Sequence, residues 1–187
     1  MSNILRRYGM LALVGGVIIV LDQVSKSWIR ANLSLGEVWA PIEALDPFFR
    51  IVHWYNTGVA FGLFQNMNSV FSVLALIVMG LIAFYLPRVP SQDWMLRLAL
   101  CLQFGGAGGN AIDRITIGHV TDFVSVGNFP VFNVADSSIT IGVFVLLIGV
   151  WLQERRDRNE VQRARERDNA SENQVEPDRD GEALRCE

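Results

Sequence analysis

The chain has 187 residues, 51% of them apolar, and a formal net charge of −3. The apolar residues gather into long runs with no polar stripe at helical spacing, which excludes an ordinary soluble domain. All of the charge imbalance falls from Glu154 onward, where eight arginines meet eleven acids, so no basic groove exists and nucleic acid is excluded as a partner.

Four apolar runs cover residues 8–21, 70–86, 98–112 and 137–152. With their flanks, each reaches the roughly 17–25 residues that cross a bilayer as a helix. The expected fold is therefore a membrane all-α domain over residues 1–153, with four transmembrane helices at about residues 8–28, 69–86, 94–115 and 136–153. Arg6 and Arg7 ahead of the first run resemble a secretory signal. Asp22-Gln23-Val24-Ser25-Lys26 is no small-residue cleavage site, however, and three more runs follow. Arg6, Arg7, Arg88, Arg97, Arg155, Arg156 and Arg158 fall on one side of the four spans. The positive-inside rule makes that side and both termini cytoplasmic. Residues 154–187 form a charged tail expected to be disordered, although 154–168 can extend the last helix through i,i+4 pairs.

Along span one, Asp22 lies about 21 Å from Tyr8 at 1.5 Å per residue, in the outer half of the bilayer. Lys26 follows at i+4 and is expected either to pair with Asp22 or to snorkel outward from the helix end. The outer loop, residues 32–68, is broken by Pro41 and Pro47 and rich in aromatic and β-branched residues over 48–55. It reads as a strand or two at headgroup level, a small extracytoplasmic β-cradle. Asn56-Thr57-Gly58 signals a turn, and residues 59–64 return toward the membrane. His53 reads as an interfacial surface residue. Span two carries no ionisable group and reads as scaffold, stopped by Pro90.

Span three ends in Gly105-Gly106-Ala107-Gly108-Gly109-Asn110-Ala111-Ile112-Asp113-Arg114. Gly105 and Gly109, four apart, offer a bare face to another helix, and Asn110 and Asp113 are neighbours at i,i+3. Asp122 and Asp136 then flank the second outer loop. Asp136 falls in the first turn of span four, where the helix dipole favours an acid. Cys101 within a span and Cys186 in the tail predict no disulfide. No metal or cofactor is expected.

Ionisable side chains at membrane depth suggest a site. Two aspartates brought close together share a proton, one acting as base toward water and the other as acid toward the scissile bond. Spacing alone leaves Asp113 and Asp122 both open as partner to Asp136. Other uses of these residues are a proton-coupled small transporter relaying through Asp22, Asp113 and Asp136, a metal-dependent hydrolase using three aspartates with His119, and a non-enzymatic scaffold.

Five motifs occur together and in order: Asp22-Gln23-Val24-Ser25-Lys26, Asn56-Thr57-Gly58-Val59-Ala60-Phe61, the glycine segment through Arg114, Val120-Thr121-Asp122-Phe123, and Phe132-Asn133-Val134-Ala135-Asp136. In them the chain resembles the lipoprotein signal peptidases (signal peptidase II), bacterial membrane aspartyl proteases. The resemblance implies a multi-pass protein of the cytoplasmic (inner) membrane whose site faces outward. It implies prolipoprotein substrates whose lipobox cysteine already carries a diacylglyceryl group, with cleavage just before it. It makes Asp122 and Asp136 the catalytic dyad. Asn56, Asn110, Asp113, Arg114 and Asn133 then position substrate or support the dyad, and Asp22 and Lys26 are structural. A monomer in contact with membrane lipid is the expected state. The long polar tail departs from the family pattern and is given no catalytic role.

Overall fold

Away from water a backbone must satisfy its own hydrogen bonds, so long apolar runs become helices. The computed structural model describes residues 8–46, 48–57 and 67–175. Helix α1, Tyr8–Asn32, includes a π turn at Leu11–Gly15. Helix α2 covers Asn68–Tyr85 and ends in a 3₁₀ turn, Leu86–Arg88. Helix α3 is Trp94–Thr116 and α4 is Val134–Val175. Three segments, Tyr8–Asn32, Asn68–Arg88 and Val134–Arg167, are long and apolar enough to cross a membrane. The 23 residues of α3 extend about 34 Å at 1.5 Å each. Its glycines and Arg97, Asn110, Asp113 and Arg114 make it less apolar than the other three. The residues of α4 up to Leu147 belong to the unit that carries the polar cluster. From Ile148 the chain forms a second unit, in which Arg158 pairs with Glu154 at 2.5 Å and Arg155 lies over the Trp151 ring at 3.9 Å.

The first unit buries a charged and polar cluster beside its apolar core and exposes much apolar surface, unlike a protein in water. Leu13, Val17, Val20 and Val24 of α1 and Val73, Ile77, Leu81 and Phe84 of α2 are exposed. Asp22, Lys26, Thr121 and Asn133 are fully buried, at 0% exposure. Lys26 therefore does not snorkel. Its ammonium turns inward to Asp22, 2.8 Å away, and to Asp113, 3.2 Å away. The apolar core lies toward the other end of the helices, where Leu11, Ile82, Leu86 and Cys101 pack with Val14, Val78 and Phe104.

The sheet has three antiparallel strands in the order β1–β2–β3: Val38–Trp39, Phe49–Asn56 and Val120–Val126. The first outer loop supplies two strands: Phe49–Asn56 lies where the composition of 48–55 predicts one, and Val38–Trp39 lies ahead of that segment. The third strand was not foreseen, because Asp122 reads locally as an exposed loop acid. In fact Val120-Thr121-Asp122-Phe123-Val124 is rich in β-branched and apolar residues, and Asp122 pairs with Trp54 in register. A shift between Ile51 and Trp54 bends β2. His53 is half-buried, its Nδ1 2.7 Å from the Leu33 carbonyl, where it ties the exit of α1 to β2. The return segment expected at 59–64 lies outside the described residues.

The glycine run of α3 is a meeting surface for two elements. A methyl on Gly105 would stand 2.7 Å from Ile18 of α1, and one on Gly109 would stand 2.5 Å from an Asp22 carboxylate oxygen. On Gly106 a methyl would strike the Ala135 carbonyl at the start of α4. Backbone cannot yield as a flexible side chain can. Gly106→Val is therefore expected to destabilise by about 1–3 kcal/mol or more, read as a lowered thermal midpoint in detergent, whereas Gly80→Ala, in open space on α2, should leave the midpoint unchanged.

Candidate active site

Chain reversal after β3 brings the two dyad candidates together. Gly127, at φ 51°, turns the chain, and Phe132 then bridges back to Val124. Its carbonyl accepts the Phe123 and Val124 N–H groups at 3.0 and 2.8 Å, and its own N–H donates to the Val124 carbonyl at 3.1 Å. Asn133 thus leaves the sheet edge beside Asp122 and opens α4. There it forms a reciprocal cap: the Asp136 N–H donates to Asn133 Oδ1 at 2.9 Å, and the Asn133 N–H donates to Asp136 Oδ2 at 3.2 Å. The favourable first-turn position of Asp136 and its place in the cluster are one arrangement. The Asn133 amide also donates from Nδ2 to Asp122 Oδ1 at 2.7 Å. One asparagine therefore links both carboxyl groups.

Asp122 is 2% exposed. Burial and, next, the charge of Asp136 push its carboxyl up to about 7, against hydrogen bonds from the Asn133 and Asn56 side chains and the more distant pull of Lys26. Asp136 receives a second side-chain donor, Asn110 Nδ2, at 2.8 Å from its Oδ1.

Behind the pair lies a buried ionic network. Lys26 Nζ donates to Asp22 Oδ2, Asp113 Oδ2 and Asn110 Oδ1, the last at 2.9 Å. Asp22 Oδ1 accepts the Ala135 N–H at 2.9 Å, which fixes the start of α4 on α1. Asp113 Oδ2 accepts the Thr121 N–H at 3.0 Å, which fixes β3 on α3. Gln23, Arg30 and Thr121, which had no role assigned from sequence, complete it. Gln23 Nε2 lies 3.2 Å from both Asp22 and Asp113 and donates to the Gly109 carbonyl at 3.0 Å. Arg30 reaches Asp113 at 3.5 Å and donates to Thr121 Oγ1 at 3.0 Å. The available signal was spacing: Asp22, Lys26 and Arg30 recur every four residues on one helix face.

Asp122, Asp136, Asn56, Asn110 and Arg114 share one cavity of about 1120 Å³, whose other walls include Phe71, Phe129, Ile139 and Ile141. Asp22, Lys26, Asp113 and Asn133 are not among its lining residues. The nine site residues thus form one connected cluster in two layers, and Asp113 falls in the rear layer. Arg114 stands over Phe71, its guanidinium carbon 5.6 Å from the ring centre, and its buried Nε has no hydrogen-bond partner among the described residues. His119 lies apart, against Tyr55 with 4.9 Å between ring centroids.

A family model described as signal peptidase (SPase) II matches residues 14–152. A lipoprotein signal peptidase of Streptococcus thermophilus is 39% identical over 146 residues, covering 77% of this chain and 90% of the relative. One from Pseudoalteromonas atlantica is 38% identical over 162 residues, covering 81% and 95%. A bacterial membrane enzyme solved by the in meso method at 2.3 Å resolution superposes with a TM-score of 0.72 at 29% identity, covering 78% of this chain and 90% of its own. A second, at 1.9 Å, gives 0.68 at 30% identity. The resemblance carried by the five motifs is thereby established, and this membrane protein belongs to the signal peptidase II family of peptidases.

Proposed function

We propose that the chain is an aspartic endopeptidase that removes the signal peptide from diacylglyceryl-modified prolipoproteins, cleaving just before the lipidated cysteine. The observation that carries this reading is Asn133, whose side-chain amide donates to the Asp122 carboxyl group and whose backbone N–H donates to that of Asp136, beside one cavity. Asp136 accepts N–H groups from Asn110 and from the Asn133 backbone, which hold its carboxyl group toward the cavity and give it the role of base. Asp122 is the proton holder. In the forward step Asp136 takes a proton from water as the water oxygen attacks the scissile carbonyl carbon. Asp122 gives its proton to the carbonyl oxygen, forming a neutral gem-diol. That intermediate collapses as a proton passes from Asp136 to the leaving nitrogen, and the other hydroxyl proton returns to Asp122.

Asn56 and Arg114 position the substrate. The unmet Nε–H of Arg114 supplies a donor for a peptide carbonyl. The apolar wall of Phe71, Ile139 and Ile141 accommodates acyl chains or signal-helix side chains. Four spans, with α3 as the third, place both termini in the cytoplasm and the dyad at the outer face of the bacterial inner membrane. There water reaches the site and a membrane-anchored substrate presents its bond. The enzyme acts as a monomer, without cofactor, and residues 1–153 suffice for it.

Asp122→Asn and Asp136→Asn should each lower cleavage of a diacylglyceryl prolipoprotein by about 10⁴-fold while leaving the protein folded in detergent; full turnover in either rules the dyad out. Removing residues 154–187 should leave cleavage unchanged in the same assay, and loss of activity with normal insertion would give the tail a role. The pH dependence follows from Asp122. Its folded value of about 7 lies above the ordinary 3.8, so folding takes up a proton between those limits. The resulting stabilisation is full below the lower value and lost as pH rises through the upper one. Asp122→Asn should therefore gain thermal midpoint relative to the parent as pH rises from 5 to about 8, and parent turnover should decline above about 7 as the pair loses its shared proton.

A further inference from the structure

We propose that Lys26 is a positioning residue for the reaction, acting by fixing which end of the Asn110 amide faces Asp136. The inference rests on the dyad reading above. An ammonium has three N–H donors and no acceptor, so the Asn110 atom 2.9 Å from Lys26 must be the oxygen. The planar amide then has its NH₂ pointing the other way, onto Asp136 Oδ1 at 2.8 Å. A flipped amide would set oxygen against carboxylate.

Lys26 itself cannot turn. Its other two donors are engaged by Asp22 and Asp113, and its side chain is fully buried. Asn133 Nδ2 also reaches Asn110 Oδ1, at 3.2 Å, but its two hydrogens are shared among that atom, the Thr121 carbonyl at 3.4 Å and Asp122 at 2.7 Å. It is overcommitted and cannot set the Asn110 orientation alone. A residue with no contact to the cavity thus determines that Asp136 meets a donor.

Removing Lys26 alone would strand two carboxylates, so the test keeps the charge balanced. In Lys26→Met/Asp22→Asn, Arg30 and Asp113 remain as a pair. In Lys26→Gln/Asp22→Asn, a neutral donor can still reach Asn110. With a diacylglyceryl prolipoprotein as substrate, kcat of the methionine variant should fall about tenfold to a hundredfold with KM unchanged. The glutamine variant should fall less, and both should retain a cooperative thermal transition in detergent. Parental kcat in the folded methionine variant overturns the inference, as does a loss carried by KM. Should the methionine variant not fold, Lys26→Leu/Asp22→Asn carries the test with the same criteria. If the dyad asparagine variants remain active, the dyad reading fails and takes this one with it. If they are inactive while the Lys26 variants turn over normally, this inference alone fails.

Discussion

Three hydrogen bonds from one ammonium organise this protein. Lys26 is 0% exposed and its acceptors come from two helices: Asp22 from α1, and Asn110 and Asp113 from α3. Taking such a cation out of water costs several kcal/mol even after relaxation, and only a complete set of partners offsets it. The same two carboxylates then reach beyond the helix pair, Asp22 to the Ala135 N–H and Asp113 to the Thr121 N–H. Those N–H groups lie one residue before Asp136 and one before Asp122. A charge that contributes little net stability therefore sets the backbone position of both proposed dyad members.

The cluster can be polar because the glycines let its elements close on one another. A Cβ at Gly109 would occupy the place of the Asp22 carboxylate, and one at Gly106 would push away the strand-to-helix junction at Ala135. Small residues thus serve here for more than helix packing, since they admit carboxylates to the helix axis of α3. The bundle resolves its two needs by position along the helices. Leu11, Leu86 and Cys101 pack apolar surface toward one end, and ionic pairing fills the other. With an apolar exterior, polar satisfaction has to be internal, and it is nearly complete. Among the described residues the buried side-chain atoms without a partner are Asn68 Oδ1 and Arg114 Nε. The second belongs to a residue lining the cavity.

Much of this was legible in the sequence where the signal is local. The apolar runs became helices at the expected places, and the aromatic segment 48–55 became a strand. Asn110 and Asp113 took their i,i+3 relation. Three things were not legible, and each depends on distant residues. Lys26 four residues after Asp22 fits a snorkelling helix end as well as a buried bridge; only Asp113, 87 positions later in sequence, decides between them. Asp122 reads as a loop acid until β2 is present to pair with it. Spacing does not say which of Asp113 and Asp122 stands beside the cap of Asp136, because that turns on the Phe132 bridge to Val124, which brings Asn133 onto Asp122. The capping pair Asn133 and Asp136 was visible as a helix start, but a helix start does not reveal what else its asparagine holds.

The placement of charge has a chemical logic of its own. A cation in direct contact with Asp122 or Asp136 would favour ionising both, and a doubly ionised pair has no proton to give. Lys26 and Arg30 are instead met by Asp22 and Asp113, a cluster neutral in sum, and the influence of Lys26 on Asp122 ranks below those of burial, Asp136 and two asparagines. The hydrogen bonds that reach the two carboxyl groups come from uncharged amides: Asn110 Nδ2 and the Asn133 backbone N–H on Asp136, and Asn133 Nδ2 and the Asn56 side chain on Asp122, while the Arg114 charge also acts on both. The two asparagine donors lower the Asp122 carboxyl less than burial and the Asp136 charge raise it, so it stays above its ordinary value. The ionic network is thus stationed one residue back, where it fixes the backbone at Thr121 and Ala135 beside the two proposed reactive aspartates.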